Sequence, residues 1–183
     1  AALNAALPGK HFTLHELDIC DEPGIAALLT DGAVDVVCHL AALAGVRPSI
    51  AAPQKYIRAN LQGTTAILEA MRKSRCRRLV FASSSSVYGA RGDGNLAKVA
   101  AFREDDSCLQ PASPYAATKR AGELLCSTYR DLYSIGVAAL RFFTVYGPRQ
   151  RPDMAIHKFV KAVASGASLP FFGDGETRRD YTF

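Results

Sequence analysis

Two short runs constrain the fold of this chain more than anything else in it. Val34-Asp35-Val36-Val37-Cys38-His39-Leu40 and Leu79-Val80-Phe81-Ala82-Ser83 are β-branched or apolar almost throughout, with no polar alternation. A strand that is apolar on both faces must be covered on both, which is the condition of a buried parallel sheet. Helical segments separate these and further strands. Residues 21–29 carry helical period, with Asp21 as a cap and Pro23 in the first turn. Residues 54–74 do the same, and Ser113-Pro114 opens a long helix over 113–133. A strand over 137–144, a helix over 154–164 and a short strand over 169–172, ended by Gly173-Asp174-Gly175, follow. Residues 1–7 read as the tail of a helix stopped by Pro8-Gly9, residues 12–19 alternate as a strand would, and residues 89–112 read as a polar loop. Alternating strands and helices predict an α/β fold with a doubly wound parallel sheet.

Composition narrows the function classes. With 49% hydrophobic and 21% charged residues, the chain is neither a disordered tail nor a disulfide scaffold. No apolar run reaches the roughly 20 residues that cross a bilayer, so no membrane role is expected. The formal charge of +5 is concentrated in Arg72-Lys73-Ser74-Arg75-Cys76-Arg77-Arg78. Cations at a helix C-terminus offset its dipole. No aromatic platform interleaves with the run, so a nucleic-acid partner is not expected. The cysteines Cys20, Cys38, Cys76, Cys108 and Cys126 are odd in number and form no Cys-x-x-Cys pair. They read as buried thiols of a reducing compartment, which predicts a cytoplasmic protein. His11, His15, His39 and His157 have no metal-ligand spacing, so no metal is expected, and His39 reads as a core residue.

The sharpest chemical signal is Ser113-Pro114-Tyr115-Ala116-Ala117-Thr118-Lys119. Tyr115 and Lys119 stand four apart and share one helix face. A phenol is a poor base at neutral pH. An ammonium one turn away favours the phenolate, which could then exchange a proton with a substrate hydroxyl. Upstream, at the end of an apolar strand, stands Phe81-Ala82-Ser83-Ser84-Ser85-Ser86-Val87-Tyr88-Gly89. Sheet enzymes place their chemistry at the carboxyl ends of strands.

Together Ser84, Tyr115 and Lys119 resemble the catalytic trio of the extended short-chain dehydrogenase/reductases. More narrowly, they resemble the NAD-dependent epimerase/dehydratase family and its UDP-glucuronate 4-epimerases. Other motifs along the chain match that family. Asp18-Ile19 is similar to the pair flanking the adenine. His39-Leu40-Ala41-Ala42 is similar to the strand-end turn beneath the cofactor, and Asn60 matches the family's helix asparagine. Arg141-Phe142-Phe143-Thr144-Val145-Tyr146-Gly147-Pro148 is similar to the segment passing the nicotinamide and then the sugar. Arg179-Asp180-Tyr181 resembles the motif that grips the diphosphate.

The resemblance implies a Rossmann-like fold with NAD as cofactor, touched by Asp18, Ile19, Leu40, Ala41, Ala42, Asn60, Tyr115, Lys119 and Phe143. It implies a UDP-sugar substrate met by Ser84, Ser85, Ser86, Thr144, Arg151 and Arg179. It further implies a cofactor domain over 1–148 and the start of a substrate lobe over 149–183. The helices at 54–74 and 113–133 are the pair that forms a four-helix homodimer interface in this family. The glycine-rich turn for the NAD pyrophosphate is missing from the chain, as is the residue separating NAD from NADP. A fragment of a longer protein is therefore expected, lacking the first βαβ turn and most of the C-terminal lobe. Gly89-Ala90-Arg91-Gly92-Asp93-Gly94 imitates a phosphate loop with the wrong spacing and reads as a surface loop.

Within the family, dehydratases need an Asp-Glu pair just after the catalytic hydroxyl. Here those positions are Ser85 and Ser86, and the decarboxylases' glutamate at the Ser86 position is absent too. What remains is hydride removal and return at one carbon. The runs Ala44-Gly45-Val46-Arg47-Pro48-Ser49 and Gly147-Pro148-Arg149-Gln150-Arg151-Pro152-Asp153 resemble those of the UDP-glucuronate 4-epimerases. UDP-glucose, UDP-galacturonate and N-acetylated sugars stay open as substrates. A non-catalytic scaffold on the same fold is the alternative of another class. Such proteins usually lose the tyrosine or the lysine, and this chain keeps both.

Overall fold

The two apolar runs lie side by side, but only residues 79–83 are buried or half-buried throughout. Val36, Cys38 and Leu40 are exposed, so one face of the first run is uncovered among the described residues and Cys38 is not the buried thiol expected. In the computed structural model, which describes residues 12–31, 34–89, 101–169 and 180–183, β1 (Val37–His39) pairs with β2 (Arg78–Ala82), and β2 pairs with β3 (Gly136–Leu140). All three strands run parallel, with Val37 opposite Leu79 and Leu79 opposite Val137. Parallel neighbours need crossover connections, and the helices supply them. The first crossover contains α2 (Val46–Ala51), α3 (Pro53–Tyr56) and α4 (Gly63–Lys73), after α1 (Glu22–Asp31) has preceded β1. The second contains α5 (Pro114–Tyr133), capped at Ser113, whose hydroxyl accepts from Ala116 N at 3.1 Å. Burial of Ile67, Leu68 and Met71 from α4, Leu79 and Phe81 from β2 and Cys126 from α5 forms the core.

The helix expected over 54–74 carries an irregular turn. Residues Ile57–Gln62 are π-helical, and the Gly63 N–H reaches Arg58 O, five residues back. Such turns free backbone groups and re-aim side chains, often beside functional sites. A six-residue helix at Val46–Ala51 was not expected at all.

Two strand expectations are corrected. Residues 12–19 form no strand, and residues 12–18 are exposed. Alternation supplies a face for burial, but a strand also needs a ladder partner, and the segment has none among the described residues. The strand expected over 137–144 ends at Leu140. There Phe142 N turns back to Leu140 O at 3.1 Å, and the chain restarts as β4 (Thr144–Val145), parallel to β5 (Tyr181–Thr182). Residues 1–7, most of residues 169–172, the stretch 90–94 and Arg179 lie outside the described residues.

The basic run does what a helix end requires. Arg72 forks onto Glu69 and lies over the Tyr133 ring, and Arg77 Nη1 donates to the carbonyls of Met71, Ser74 and Cys76 at 2.7, 2.6 and 3.1 Å. Among the described residues no helix is long and apolar enough to cross a membrane.

Candidate active site

The carboxyl ends of the three parallel strands and the N-terminal half of α5 enclose a cavity of about 600 Å³. Ser84, Ser85 and Ser86 line it from the end of β2, and Tyr115 and Lys119 line it from α5. Phe143 and Thr144 line it from the segment after β3, Leu40 and Ala42 from the turn after β1, and Arg151 from the loop before α6 (Ala155–Ala164). Ten residues predicted from sequence therefore meet at one place. Asp18, Ile19, Ala41 and Asn60 do not line this cavity.

The serine row divides its work. The Ser83 hydroxyl donates to Glu123 Oε1 at 2.6 Å. Ser84 caps the short 3₁₀ turn Ser85–Tyr88, its oxygen accepting from Ser86 N at 3.2 Å. That contact uses a lone pair of Ser84 and leaves its proton for a ligand. Ser85 N donates to Phe142 O at 2.8 Å, tying the row to the segment that carries Thr144.

Lys119 is buried at 4% exposure, and its Nζ donates to Ala82 O at 2.7 Å. Burial lowers its pKa to about 8, because the charged form loses hydration. Tyr115 is half-buried, and the Tyr56 ring meets it edge-on at 6.2 Å. The Tyr56 hydroxyl donates to Ala44 O at 3.1 Å, so one buried ring braces both Tyr115 and the turn after β1.

Asn60 is spent inside the protein. Its Oδ1 accepts from Leu43 N at 2.8 Å, and its Nδ2 donates to Leu43 O at 3.0 Å and Thr118 Oγ1 at 3.1 Å. The π-turn thereby clamps the loop after β1 to α5. Asp18 accepts from Cys20 N at 2.9 Å and pairs with Arg58 at 2.7 Å. Ile19 packs where a side chain on Gly63 would stand.

Behind the cavity, Thr64 donates its one hydroxyl proton to Asn60 O at 2.5 Å, so His39 Nε2, 2.9 Å from that hydroxyl, carries the proton between them. Burial, and then the charge on Lys119, lower the His39 pKa to about 4, which keeps the imidazole neutral.

At the mouth, Gly147 (φ 130) and Arg149 (φ 69) bend the loop that brings Arg149 and Arg151 to the cavity. Arg151 is exposed and forks onto Asp153 at 3.0 and 2.8 Å. Four residues that organise the site escaped the sequence reading: Tyr56, Ser83, Glu123 and Arg141. The spacing Tyr115, Lys119, Glu123 was the available signal for one of them, since it continues the same helix face by another turn.

Comparison with known proteins agrees with this architecture. The profile described as "NAD dependent epimerase/dehydratase family" matches residues 2–183. A UDP-glucuronate 4-epimerase of Thermodesulfobacterium geofontis is 38% identical over 181 residues, covering 99% of this chain and 54% of that protein. The crystal structure of a UDP-glucuronic acid 4-epimerase from Bacillus cereus, in complex with UDP-glucuronic acid and NAD, superposes with a TM-score of 0.82 at 38% identity, over 99% of this chain and 55% of that one. A dTDP-glucose 4,6-dehydratase from Streptomyces venezuelae superposes as well, with a TM-score of 0.83 at 32% identity over 98% and 52%. The chain spans about half the length of the curated relatives it matches. Since an epimerase and a dehydratase superpose equally, the fold alone does not choose the reaction.

Proposed function

The chain belongs to the NAD-dependent epimerase/dehydratase family, and from that premise we propose that the full-length protein is a cytoplasmic UDP-glucuronate 4-epimerase, interconverting UDP-glucuronate and UDP-galacturonate. One observation carries the reading: Tyr115, Lys119, Ser84 and Thr144 line one cavity in which the positions of the dehydratase acids are Ser85 and Ser86. No carboxylic acid stands there to move protons at neighbouring carbons. Hydroxyl groups stand there instead, and neutral donors hold a sugar carboxylate by charge-assisted bonds.

The described residues fit NAD. Lys119 is a buried ammonium with three donors, of which Ala82 O takes one, leaving others for ribose hydroxyls. Leu40, Ala42, Ala44 and Gly45 supply a wall of mostly small side chains. NAD, when bound, supplies the acceptor and donor of the hydride at C4.

Tyr115 takes the proton from the C4 hydroxyl and later returns it. Ser84 donates its free proton to the same oxygen and so holds it against Tyr115. The sugar, oxidised to its 4-keto form, turns in the cavity to present its opposite face. A 4-keto uronate is a β-keto acid and can lose CO₂, a loss that requires the breaking bond to stand perpendicular to the carbonyl plane. Ser85, Ser86 and Thr144 grip the carboxylate near the ring plane and so oppose decarboxylation. Arg151, with Arg179 beyond the described residues, binds the diphosphate, where a planar fork suits phosphate oxygens.

The same reading assigns residues 1–148 to cofactor binding and 149–183 to the start of the substrate lobe. It also pairs two copies through α4 and α5, where Leu124 and Leu132 are exposed.

A panel of UDP-glucuronate, UDP-glucose and UDP-N-acetylglucosamine on the full-length protein, with products resolved by configuration at C4, tests the proposal. UDP-galacturonate from UDP-glucuronate is the expected product. Turnover of UDP-glucose alone overturns the substrate, and no epimer from any sugar overturns the activity.

A further inference from the structure

Three separate chain segments build the reactive wall of the cavity: the end of β2, the face of α5 and the stretch after β3. One carboxylate joins them. Glu123 lies one helical turn beyond Lys119 and is buried at 8% exposure. Its Oε1 accepts from Ser83 Oγ at 2.6 Å and Arg141 Nε at 2.9 Å, and its Oε2 accepts from Arg120 Nη1 at 2.9 Å and Arg141 Nη2 at 3.0 Å. Arg141 immediately follows β3, donates to Glu104 O at 3.1 Å, and lies over the Tyr88 ring at 4.8 Å. Tyr88 stacks at 6.3 Å on Phe143, which lines the cavity.

A buried ion pair contributes little net stability compared with a well-packed apolar pair, because dehydrating both charges offsets their attraction. It does impose direction. The bidentate Arg141 fork fixes the angle of the chain leaving β3, and the short Ser83 contact fixes the register of the serine row against α5. We propose that Glu123, through Ser83 and Arg141, is a positioning residue that holds Ser84 and Thr144 against Tyr115 during epimerisation. Ser84 follows one arm of this hub directly, and Thr144 follows the other by three residues. Glu123 itself contacts no substrate. The inference rests on the epimerase reading above.

The test uses the full-length protein and three variants. Ser83→Ala severs one arm and leaves the ion pairs intact, whereas Glu123→Gln weakens the whole hub. Glu69→Gln is the comparison: Glu69 is likewise gripped by the Arg72 fork and by the Tyr129 hydroxyl, but it lies on α4 away from the cavity. Ser83→Ala and Glu123→Gln are expected to lower kcat roughly 10- to 100-fold, the effect of slight misplacement of reacting groups, with KM changed much less. Amide exchange over residues 83–86 is expected to quicken in both. Glu69→Gln is expected to lower the melting temperature while keeping kcat. Wild-type kcat and unchanged exchange in Ser83→Ala overturn the proposal, as does an equal kcat loss in Glu69→Gln. If the wild-type protein turns over no UDP-sugar, the epimerase reading falls. Exchange over residues 83–86 in Ser83→Ala then decides the hub by itself: faster exchange supports it and unchanged exchange overturns it.

Discussion

Replacing His39 by glutamine removes a titration while keeping a donor for Thr64, because the glutamine amide nitrogen can stand where Nε2 stands. His39 is 4% exposed, and burial followed by the Lys119 charge lowers its pKa from 6.5 to about 4. Between those values only the unfolded chain binds the proton. Stability from this group is therefore full above pH 6.5 and drains away as pH falls toward 4, where the loss levels off. That interval corresponds to about 3 kcal/mol in all, of which about 2.5 kcal/mol is lost between pH 7.5 and pH 4.5. Carboxylates titrate over part of the same range, so the informative quantity is the stability of wild type minus that of His39→Gln. The chain contains no Trp, so urea unfolding is best followed by far-ultraviolet circular dichroism. The difference is expected to be flat above pH 6.5 and to fall by about 2.5 kcal/mol by pH 4.5. A difference that varies by less than about 0.5 kcal/mol, or that grows on acidification, would refute a neutral buried imidazole.

Three further outcomes can be checked. A Cβ on Gly122 would stand 2.6 Å from Cζ of Phe81, a ring 1% exposed that cannot retreat. Gly122→Ala is expected to destabilise by about 1–2 kcal/mol, overpacking outweighing the gain in helix propensity; an unchanged urea midpoint would count against this packing. Gly89 has φ 72, and a Cβ there would stand 2.2 Å from the backbone oxygen of Gln110. Gly89→Ala is expected to cost about 2 kcal/mol or more in thermal unfolding, with no compensating helix term. On the proposed reading, Thr144→Ala is expected to raise KM for UDP-glucuronate about tenfold and to add a decarboxylated 4-keto pentose product, both read by chromatography of the nucleotide sugars.

The three strands of the main sheet and the helices at Glu22–Asp31, Gly63–Lys73, Pro114–Tyr133 and Ala155–Ala164 are legible in the sequence, because each rests on local pattern. The apolar runs around Val37–His39 and Arg78–Ala82 predict a parallel sheet, and the two strands do pair in parallel, although Cys38 of the first strand stays exposed. Ser113-Pro114 opened α5 where capping chemistry predicts. Tyr115 and Lys119 shared a face because four residues make one helical turn. What pattern could not supply was partnership. Residues 12–19 alternate, yet no described strand pairs with them. Nor does local sequence announce the π-turn at Ile57–Gln62, which exists because tertiary packing turns Asn60 onto Leu43 and Thr118. Ser83 looked like one more hydroxyl in a row of four. Only the fold, by bringing Glu123 from 40 residues along the chain to within 2.6 Å, separates it from its neighbours. Residue types and helical spacing set which groups can do chemistry. Long-range contacts, whose cost is chain entropy and whose return comes only when several segments meet at once, decide which of those groups reach the cavity and which hold the others in place.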